Sequence, residues 1–220
     1  MNTLHTGLAG LAALAALCPA PAAAADGDSS ELVVTITGSR SEQPLAHATA
    51  PTTVIDRNEL DQSQATTLNE ALAGRNGIAI ASNGGAGKVT SLYLRGANAG
   101  QTLLLVDGVR LGSSTLGSPA WQLLPLGLAD RIEIVRGAQS GLYGSDAIGG
   151  VVQVLTLPAA GTPLRPWAEA GIGTQQGRHL GAGVRGSSGA TTLSIGGDWL
   201  SSDGFDATAP DTFAHNDDRD

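Results

Sequence analysis

The chain has 220 residues, enough for one or two domains, and its net charge is −8 with 41% hydrophobic residues. Because phosphate binding needs clustered Lys and Arg, this charge argues against a nucleic acid as partner. Aromatic residues make up only 3% of the chain whereas 31 residues are glycine, so we expect many tight turns and close backbone approaches.

Residues 1–25 predict a secretory signal peptide. Leu8–Leu17 is an apolar run of suitable length, and Ala22–Ala25 offers a small-residue cleavage site, although the preceding residues lack Lys and Arg. The single cysteine, Cys18, lies in this segment, and a lipoprotein anchor would need a small residue where Leu17 stands. An exported chain cut after this segment has no thiol, so neither disulfides nor cysteine–metal chemistry are expected.

Residues 26–44 form a polar flank around one strand-like hexamer, Leu32–Thr37. Such a segment favours strand addition, in which main-chain hydrogen bonds join it to the sheet of a partner. An ordinary first strand of the following domain explains the same residues, and the pattern by itself leaves both interpretations open.

Residues 45–157 predict one α+β domain, because strand patterns alternate with short helices. Asp107-Gly108 divides two apolar segments and predicts a hairpin turn. Asp56 or Asn58 can cap a short helix, and Thr67 and Glu70 have capping-box spacing before a second one that stops near Gly74. The predicted strands are Thr52–Ile55, Ile78–Ala81, Thr90–Arg95, Thr102–Val106, Val109–Leu111, Arg131–Arg136 and Val151–Leu155.

Residues 158–220 differ in pattern, since a Pro- and Gly-rich linker is followed by three alternating segments at 167–173, 180–185 and 191–199. We assign Trp167, Ala170 and Ile172 to one face, with Glu169 and Gly171 between them. The lengths of the three segments approach the 9–11 residues of a tilted membrane strand. A small soluble hairpin sheet is the alternative interpretation. Because three strands cannot close a barrel and open edges are costly in lipid, we expect the first strands of a transmembrane β-barrel that continues past Asp220.

The sequence matches neither a P-loop nor a nucleophile-elbow motif, so an enzyme is not predicted. Gly87-Lys88 is followed by Val89 instead of Ser or Thr, which excludes a P-loop, and no G-x-S-x-G is present. The histidines show no metal-binding spacing, and we interpret each as a solvated loop residue: His5, His47, His179 and His215.

Two charged groups have open interpretations. Arg95 and Arg136 stand at strand ends next to glycines, where they can pair with Asp107, Glu133 or carboxylates of a barrel wall, or be ordinary surface arginines. Near the C-terminus, oxygen ligands recur at every second residue, as in the first half of a calcium loop, and a solvated acidic loop is the alternative. The candidate ligands are Asp206, Asn216, Asp218 and Asp220.

Several stretches resemble the TonB-dependent outer-membrane receptors: ELVVT at 31–35, APTTVI at 50–55, LLLVDGVRL at 103–111 and YGSDAIGGVV at 143–152. NGGAGKVTSLYLRGANA at 83–99, together with APTTV, is similar in particular to the cobalamin-transporting members. The resemblance implies a plug domain of mixed sheet and short helices inside a barrel of roughly 22 strands. It places the chain in the bacterial outer membrane, in contact with its lipid, with the plug facing the periplasm.

The resemblance also implies partners and site residues. The ligand would be cobalamin, touching Val89, Ser91, Asn98, Leu116 and Gly117. Calcium would order the outer loops through the four candidate ligands above. The energy-transducing protein TonB would capture Glu31, Leu32, Val33, Val34, Thr35, Ile36 and Thr37. The loop at 112–120 departs from the family pattern, which affects the choice of ligand most.

Two alternatives stay open. A siderophore or other metal-chelate receptor of the same family would want basic or aromatic loop residues, and Lys88 is our candidate near residues 83–98. A secreted, calcium-binding interaction domain would use residues 167–200 as a soluble sheet, and the need for detergent during extraction separates it from a membrane barrel.

Overall fold

The computed structural model describes residues 35–36, 43–85 and 87–204. The predicted signal peptide and the predicted calcium ligands at 206–220 lie outside these ranges. Within them the helices are α1 Arg57–Ser63, α2 Leu68–Leu72 and α3 Ser140–Tyr143. The strands are β1 Thr35–Ile36, β2 Gln43–Pro44, β3 Thr52–Ile55, β4 Ile78–Ser82, β5 Thr90–Leu94, β6 Thr102–Val106, β7 Val109–Leu111, β8 Arg131–Arg136, β9 Gly150–Leu155, β10 Arg165–Ile172, β11 Arg178–Ser188 and β12 Thr191–Ser201.

A five-stranded sheet with the order β3-β8-β9-β6-β7, here the central sheet, organises the first part of the chain. β6 and β9 are parallel and the other pairs are antiparallel, so the sheet is mixed. The turn between β6 and β7 has positive φ at Asp107 (47°) and Gly108 (80°), as a two-residue type I′ turn requires. The predicted hairpin is therefore confirmed.

The central sheet is covered on both faces, because alternate residues of its inner strands point in opposite directions. Ile132, Ile134 and Val152 pack with α1, α2, β5 and Trp121 in the larger core. Leu103, Leu105, Val135 and Val151 pack with Tyr143 and Ala147 in the smaller one. Strands buried on both faces read as continuous apolar runs, as LLLV and VV do in this sequence.

The predicted helix caps are present. The Asp56 carboxylate accepts a 2.9 Å hydrogen bond from the Glu59 amide at the start of α1. Thr67 and Glu70 form a capping box at α2, and the Glu70 carboxylate also accepts from the Thr66 amide at 2.8 Å. α2 ends at Leu72, just before Gly74 with φ of 73°. These two short helices therefore start and stop where the sequence indicates.

The three antiparallel strands β10, β11 and β12 form a second sheet, the outer sheet. Its outward face is apolar and exposed, with Ile172 at 95% and Ile195 at 61% of full exposure. The α+β domain followed by antiparallel strands is confirmed. The assignment of Trp167 to the face of Ala170 and Ile172 is wrong, because residues at odd separation along a strand lie on opposite faces.

The inward face of the outer sheet contacts the segment between Trp121 and β8. The Arg185 guanidinium donates to the carbonyls of Gly127 (3.1 Å) and Ala129 (3.4 Å) and lies 5.2 Å from the centroid of the Trp167 ring. Gly127 needs its hydrogen, since a Cβ there would lie 2.7 Å from the Trp167 ring and 2.5 Å from an Asp198 oxygen. Among the described residues, no helix is long and apolar enough to cross a membrane.

Candidate functional site

Two loops of the α+β domain carry most of the predicted ligand-binding residues. The first loop joins β4 to β5 and is closed by a 3.0 Å hydrogen bond from the Asn83 amide to the Val89 carbonyl. The Ser82 hydroxyl donates to the Gly84 carbonyl at 3.0 Å, which holds the start of the loop. Val89 is 38% exposed at its end. The small residues of the first loop leave backbone groups accessible to a ligand.

The second loop, residues 112–120, joins β7 to a 3₁₀ helix at Trp121–Leu123. It is closed by hydrogen bonds from the Gly117 amide to the Ser113 carbonyl (2.9 Å) and from the Ser113 amide to the Ser118 carbonyl (3.3 Å). Gly117 has φ of 64°, and its carbonyl oxygen would lie 2.6 Å from a Cβ added at Gly100. Glycine at position 100 thus allows the loop to approach the 3₁₀ helix at Ala99–Gln101 closely.

A cavity of about 340 Å³ lies beside the second loop. Its wall combines Ser113, Ser114 and Gly117 with Arg110 and Asp146, which are paired at 2.7 Å. Because the charges of Arg110 and Asp146 compensate each other, this pair adds no net charge to the hydroxyl and backbone groups of the wall. Such a surface suits a neutral ligand with many amide groups.

The five residues predicted to touch ligand fall into two groups. Val89 and Ser91 lie at the start of β5, whereas Asn98 lies beyond its end; five extended residues span about 16 Å. Gly117 lines the 340 Å³ cavity, whereas Val89 and Ser91 do not, and its neighbour Leu116 is 44% exposed in the second loop. One link between the groups is a 3.3 Å hydrogen bond from the Thr90 amide to Gln122, which follows the second loop. Their contact with a ligand stays a prediction.

The glycine-flanked arginines lie together. Arg95 and Arg136 line a cavity of about 570 Å³ with Arg75. Burial lowers the pKa of Arg136 below its usual range, and the positive charges of Arg95 and Arg75 lower it further. Arg136 also donates to the Asn76 carbonyl at 3.2 Å. This cavity therefore concentrates positive charge.

The two carboxylates considered for these arginines have other partners. The buried Glu133 carboxylate accepts from Arg131 at 3.1 Å. Asp107 accepts from the amide (2.9 Å) and the hydroxyl (2.7 Å) of Thr156. Asp107 thereby ties the β6–β7 turn to the end of β9.

Only two residues of the predicted TonB-binding segment lie in the described part of the chain. Thr35 and Ile36 form β1, which pairs antiparallel with Gln43 and Pro44 of β2. Glu31, Leu32, Val33, Val34 and Thr37 lie outside the described residues, and capture by a partner stays a prediction.

One group of polar residues was missed. His179 is a buried strand residue in β11, 9% exposed, so its interpretation as a solvated loop residue is wrong. Strand pairing brings it beside Glu169 of β10 and Asp198 of β12. The separations of 10 and 19 residues match no linear metal motif, and only the register of two hairpins reveals the group.

The comparisons with known proteins agree with this architecture. Residues 44–151 match the family model described as the TonB-dependent receptor plug domain. Over 178 residues, 80% of its length, the chain is 40% identical to the vitamin B12 transporter BtuB of Photobacterium profundum. The chain belongs to the TonB-dependent receptor family. Members of this family are receptors and not enzymes.

Solved structures of TonB-dependent receptors share the fold. The ferripyoverdine receptor of the outer membrane of Pseudomonas aeruginosa has a TM-score of 0.60 at 19% identity, over 71% of this chain and 20% of that receptor. The ferric yersiniabactin uptake receptor FyuA of Yersinia pestis has a TM-score of 0.54 at 22% identity, over 70% and 24%. The chain spans only 29% of the length of the BtuB relative.

Proposed function

We propose that this TonB-dependent receptor chain supplies the plug, and the first wall strands, of a transporter that takes cobalamin or a related corrinoid across the bacterial outer membrane. The observation that carries the proposal is the 40% identity, over 80% of the chain, to a vitamin B12 transporter. The siderophore receptors match at 19–22% identity and support the fold alone.

The site chemistry supports a large neutral ligand. The first and second loops offer backbone and hydroxyl groups, and the Arg110–Asp146 pair compensates the charge in the neighbouring cavity. A corrinoid is fringed with amides, which such groups can bind without net charge. A siderophore receptor is the second candidate, and the basic Lys88 in the first loop favours it.

The transport step would follow from a difference in ligand affinity between two states of the plug. Ligand on the outer loops would favour the state in which residues 31–37 face the periplasm. TonB would then add this segment to its own sheet as a strand and pull the plug open. The outward apolar face of the outer sheet would meet membrane lipid in this arrangement.

Calcium belongs to the same proposal. The four oxygen-ligand residues at 206–220 would bind the ion and order the loop that follows β12. Calcium prefers six to eight oxygen ligands, so further ligands would come from other loops of the whole protein.

Equilibrium binding of cyanocobalamin to the full-length protein, with and without calcium, tests the ligand assignment. We expect saturable binding that excess unlabelled cyanocobalamin displaces and that weakens when calcium is chelated. Ferric siderophore that competes while cyanocobalamin does not bind would replace the first candidate with the second.

The partner segment is tested with Val33→Pro, which removes one ladder hydrogen bond, and Val33→Ala as the matched control that keeps the N–H. We expect Val33→Pro to abolish uptake of labelled cyanocobalamin by cells while binding is unchanged, and Val33→Ala to transport normally. An equal loss of binding and uptake in Val33→Pro contradicts capture of this segment.

A further inference from the structure

We propose that Glu169, His179 and Asp198 form a binding site for a divalent transition-metal cation, with Zn²⁺ as the reference ion, on the inward face of the outer sheet. The site is distinct from the predicted calcium ligands. It does not depend on which ligand the receptor transports.

The register of the outer sheet builds the site from three consecutive strands. Glu169 and Asp198 both pair across with Gly181, one from each side, so the three positions form one cross-strand row. His179 lies two residues from Gly181 and therefore points to the same face. Each strand thus contributes one ligand.

Gly181 leaves the space between the two carboxylates open. A Cβ at this position would lie 2.8 Å from an oxygen of Asp198 and 2.8 Å from an oxygen of Glu169. Any side chain there would occupy the centre of the row, so the glycine keeps a gap between the two acids.

The distances suit metal coordination. Nε2 of His179 lies 3.6 Å from Oε1 of Glu169 and 3.5 Å from Oδ1 of Asp198. Two ligand atoms on a tetrahedral cation with bonds of about 2.0–2.1 Å are separated by about 3.3–3.4 Å. The two measured separations are within a few tenths of an ångström of this value, and all three ligand atoms lie within 4.8 Å of one another.

Asp198 supplies independent support for a bound ion. Its side chain is 8% exposed, and neither carboxylate oxygen accepts a hydrogen bond from a donor in the described part of the chain. A buried carboxylate that accepts no hydrogen bond is costly; His179 lies beside it at 3.5 Å, and a cation bound between the two side chains would satisfy both ligand atoms.

The nearby arginines are already engaged. Arg57, which lines the cavity beside Glu169 and His179, donates to Asp61 and to the carbonyls of Leu126 (2.9 Å) and Ala129 (2.7 Å). Arg185 is held by two carbonyls and by the Trp167 ring. As metal ligands, two carboxylates and a neutral imidazole would carry a charge of −2, which one divalent cation neutralises.

The donor set selects the metal. Imidazole with two carboxylates suits zinc and neighbouring first-row ions, whereas calcium prefers six to eight oxygens. Glu169 is 40% exposed, which leaves room for a water molecule as the fourth ligand. Because the Asp198 oxygens also abut Gly127, a bound ion would fix three wall strands beside the plug.

Zinc binding to the full-length protein, purified in detergent with any histidine tag removed, tests the site. We expect one zinc ion per chain that millimolar calcium does not displace. Glu169→Gln, His179→Gln and Asp198→Asn should each weaken binding by at least about tenfold, since even outer-shell changes cost about 10–100-fold. Asp203→Asn, which alters an exposed carboxylate near the end of β12, is the matched control and should bind like the parent protein.

A spectroscopic measurement on the unaltered protein keeps the test independent of variant folding. X-ray absorption at the zinc edge should show one imidazole nitrogen and oxygen ligands at about 2.0–2.2 Å. No zinc binding, undiminished binding in all three site variants, or a shell with several imidazoles would each overturn the proposal. None of these results affects cyanocobalamin binding, so the two proposals fail separately.

Discussion

The central sheet and the outer sheet bury their apolar residues differently. The central sheet has a core on each face, and Ile132, Ile134 and Val152 are fully buried. In the outer sheet only the inward face is covered, by the segment between Trp121 and β8. That face consists largely of glycine and polar side chains. Apart from Trp167 on the inward face, most of the large apolar side chains of the outer sheet, such as Ile195, point outward and are exposed. The first region can be stabilised by its own core, whereas the second needs an apolar surrounding to cover its outward face.

Loss of a large aromatic side chain should destabilise the central-sheet region far more than the outer sheet, and this is the largest effect that we expect. Trp121 is fully buried, so Trp121→Ala should destabilise the α+β domain by about 3–5 kcal/mol. Trp199→Ala removes the same ring from a half-exposed position on the outer sheet and should leave that domain nearly unchanged. Native-state hydrogen exchange of the β9 amides in the full-length protein reports the difference. Equal effects of the two variants would contradict separate stabilisation.

A charge on the outward face should have the next largest effect. Ile195→Lys should reduce the folding free energy in lipid vesicles by about 2–4 kcal/mol if the residue lies near the bilayer centre. Val109→Lys, at a 67% exposed position of β7, is the control and should change it by less than about 0.5 kcal/mol. Urea titration of the full-length protein in vesicles measures both. Two small effects would argue for a solvated outer sheet.

A close backbone contact gives a third test. Gly150 has φ of 147°, and a Cβ there would lie 2.3 Å from the Val135 carbonyl oxygen in the neighbouring strand. Gly150→Ala should therefore destabilise the central sheet by about 1–3 kcal/mol. Gly112→Ala is the control, because nothing lies within 4 Å of its added methyl group. Hydrogen exchange of β8 and β9 should rise in the first variant only.

The smallest expected effect concerns pH. Burial raises the pKa of Asp130 above its ordinary 3.8, and the neighbouring arginines offset this only in part. The folded protein therefore binds this proton more tightly than the unfolded chain, and stability falls as pH rises from about 3.8 through the folded pKa. Asp130→Asn should flatten this part of the pH profile of β9 exchange. An unchanged profile would mean that Asp130 does not contribute to it.

Local signals predicted most of the α+β domain. The Asp107-Gly108 turn, the Asp56 cap and the Thr67–Glu70 capping box each act within a few residues, and all three are confirmed. The family resemblance also rests on contiguous stretches. Such features can be read from one sequence because their partners lie close along the chain.

Features that depend on strand register were not predicted. The sequence pattern puts Trp167 on the wrong face and does not link His179 with Glu169 and Asp198, because cross-strand neighbours are distant in sequence. The two loops predicted to touch the ligand are an intermediate case. Their positions in the sequence follow from the resemblance, but the distance between Val89 and Asn98, at opposite ends of β5, emerges only in the folded chain.

The most direct test of the central claim, that the outer sheet is a membrane wall with its inward face toward the plug, uses two adjacent residues. Nitroxide labels at Ile195 and Ser194 of the full-length protein in lipid vesicles report collisions with oxygen and with a polar nickel complex. We expect the label at Ile195 to collide with oxygen far more often than with the nickel complex, and the label at Ser194 to collide little with either. Greater access of nickel than of oxygen at Ile195 would contradict the central claim.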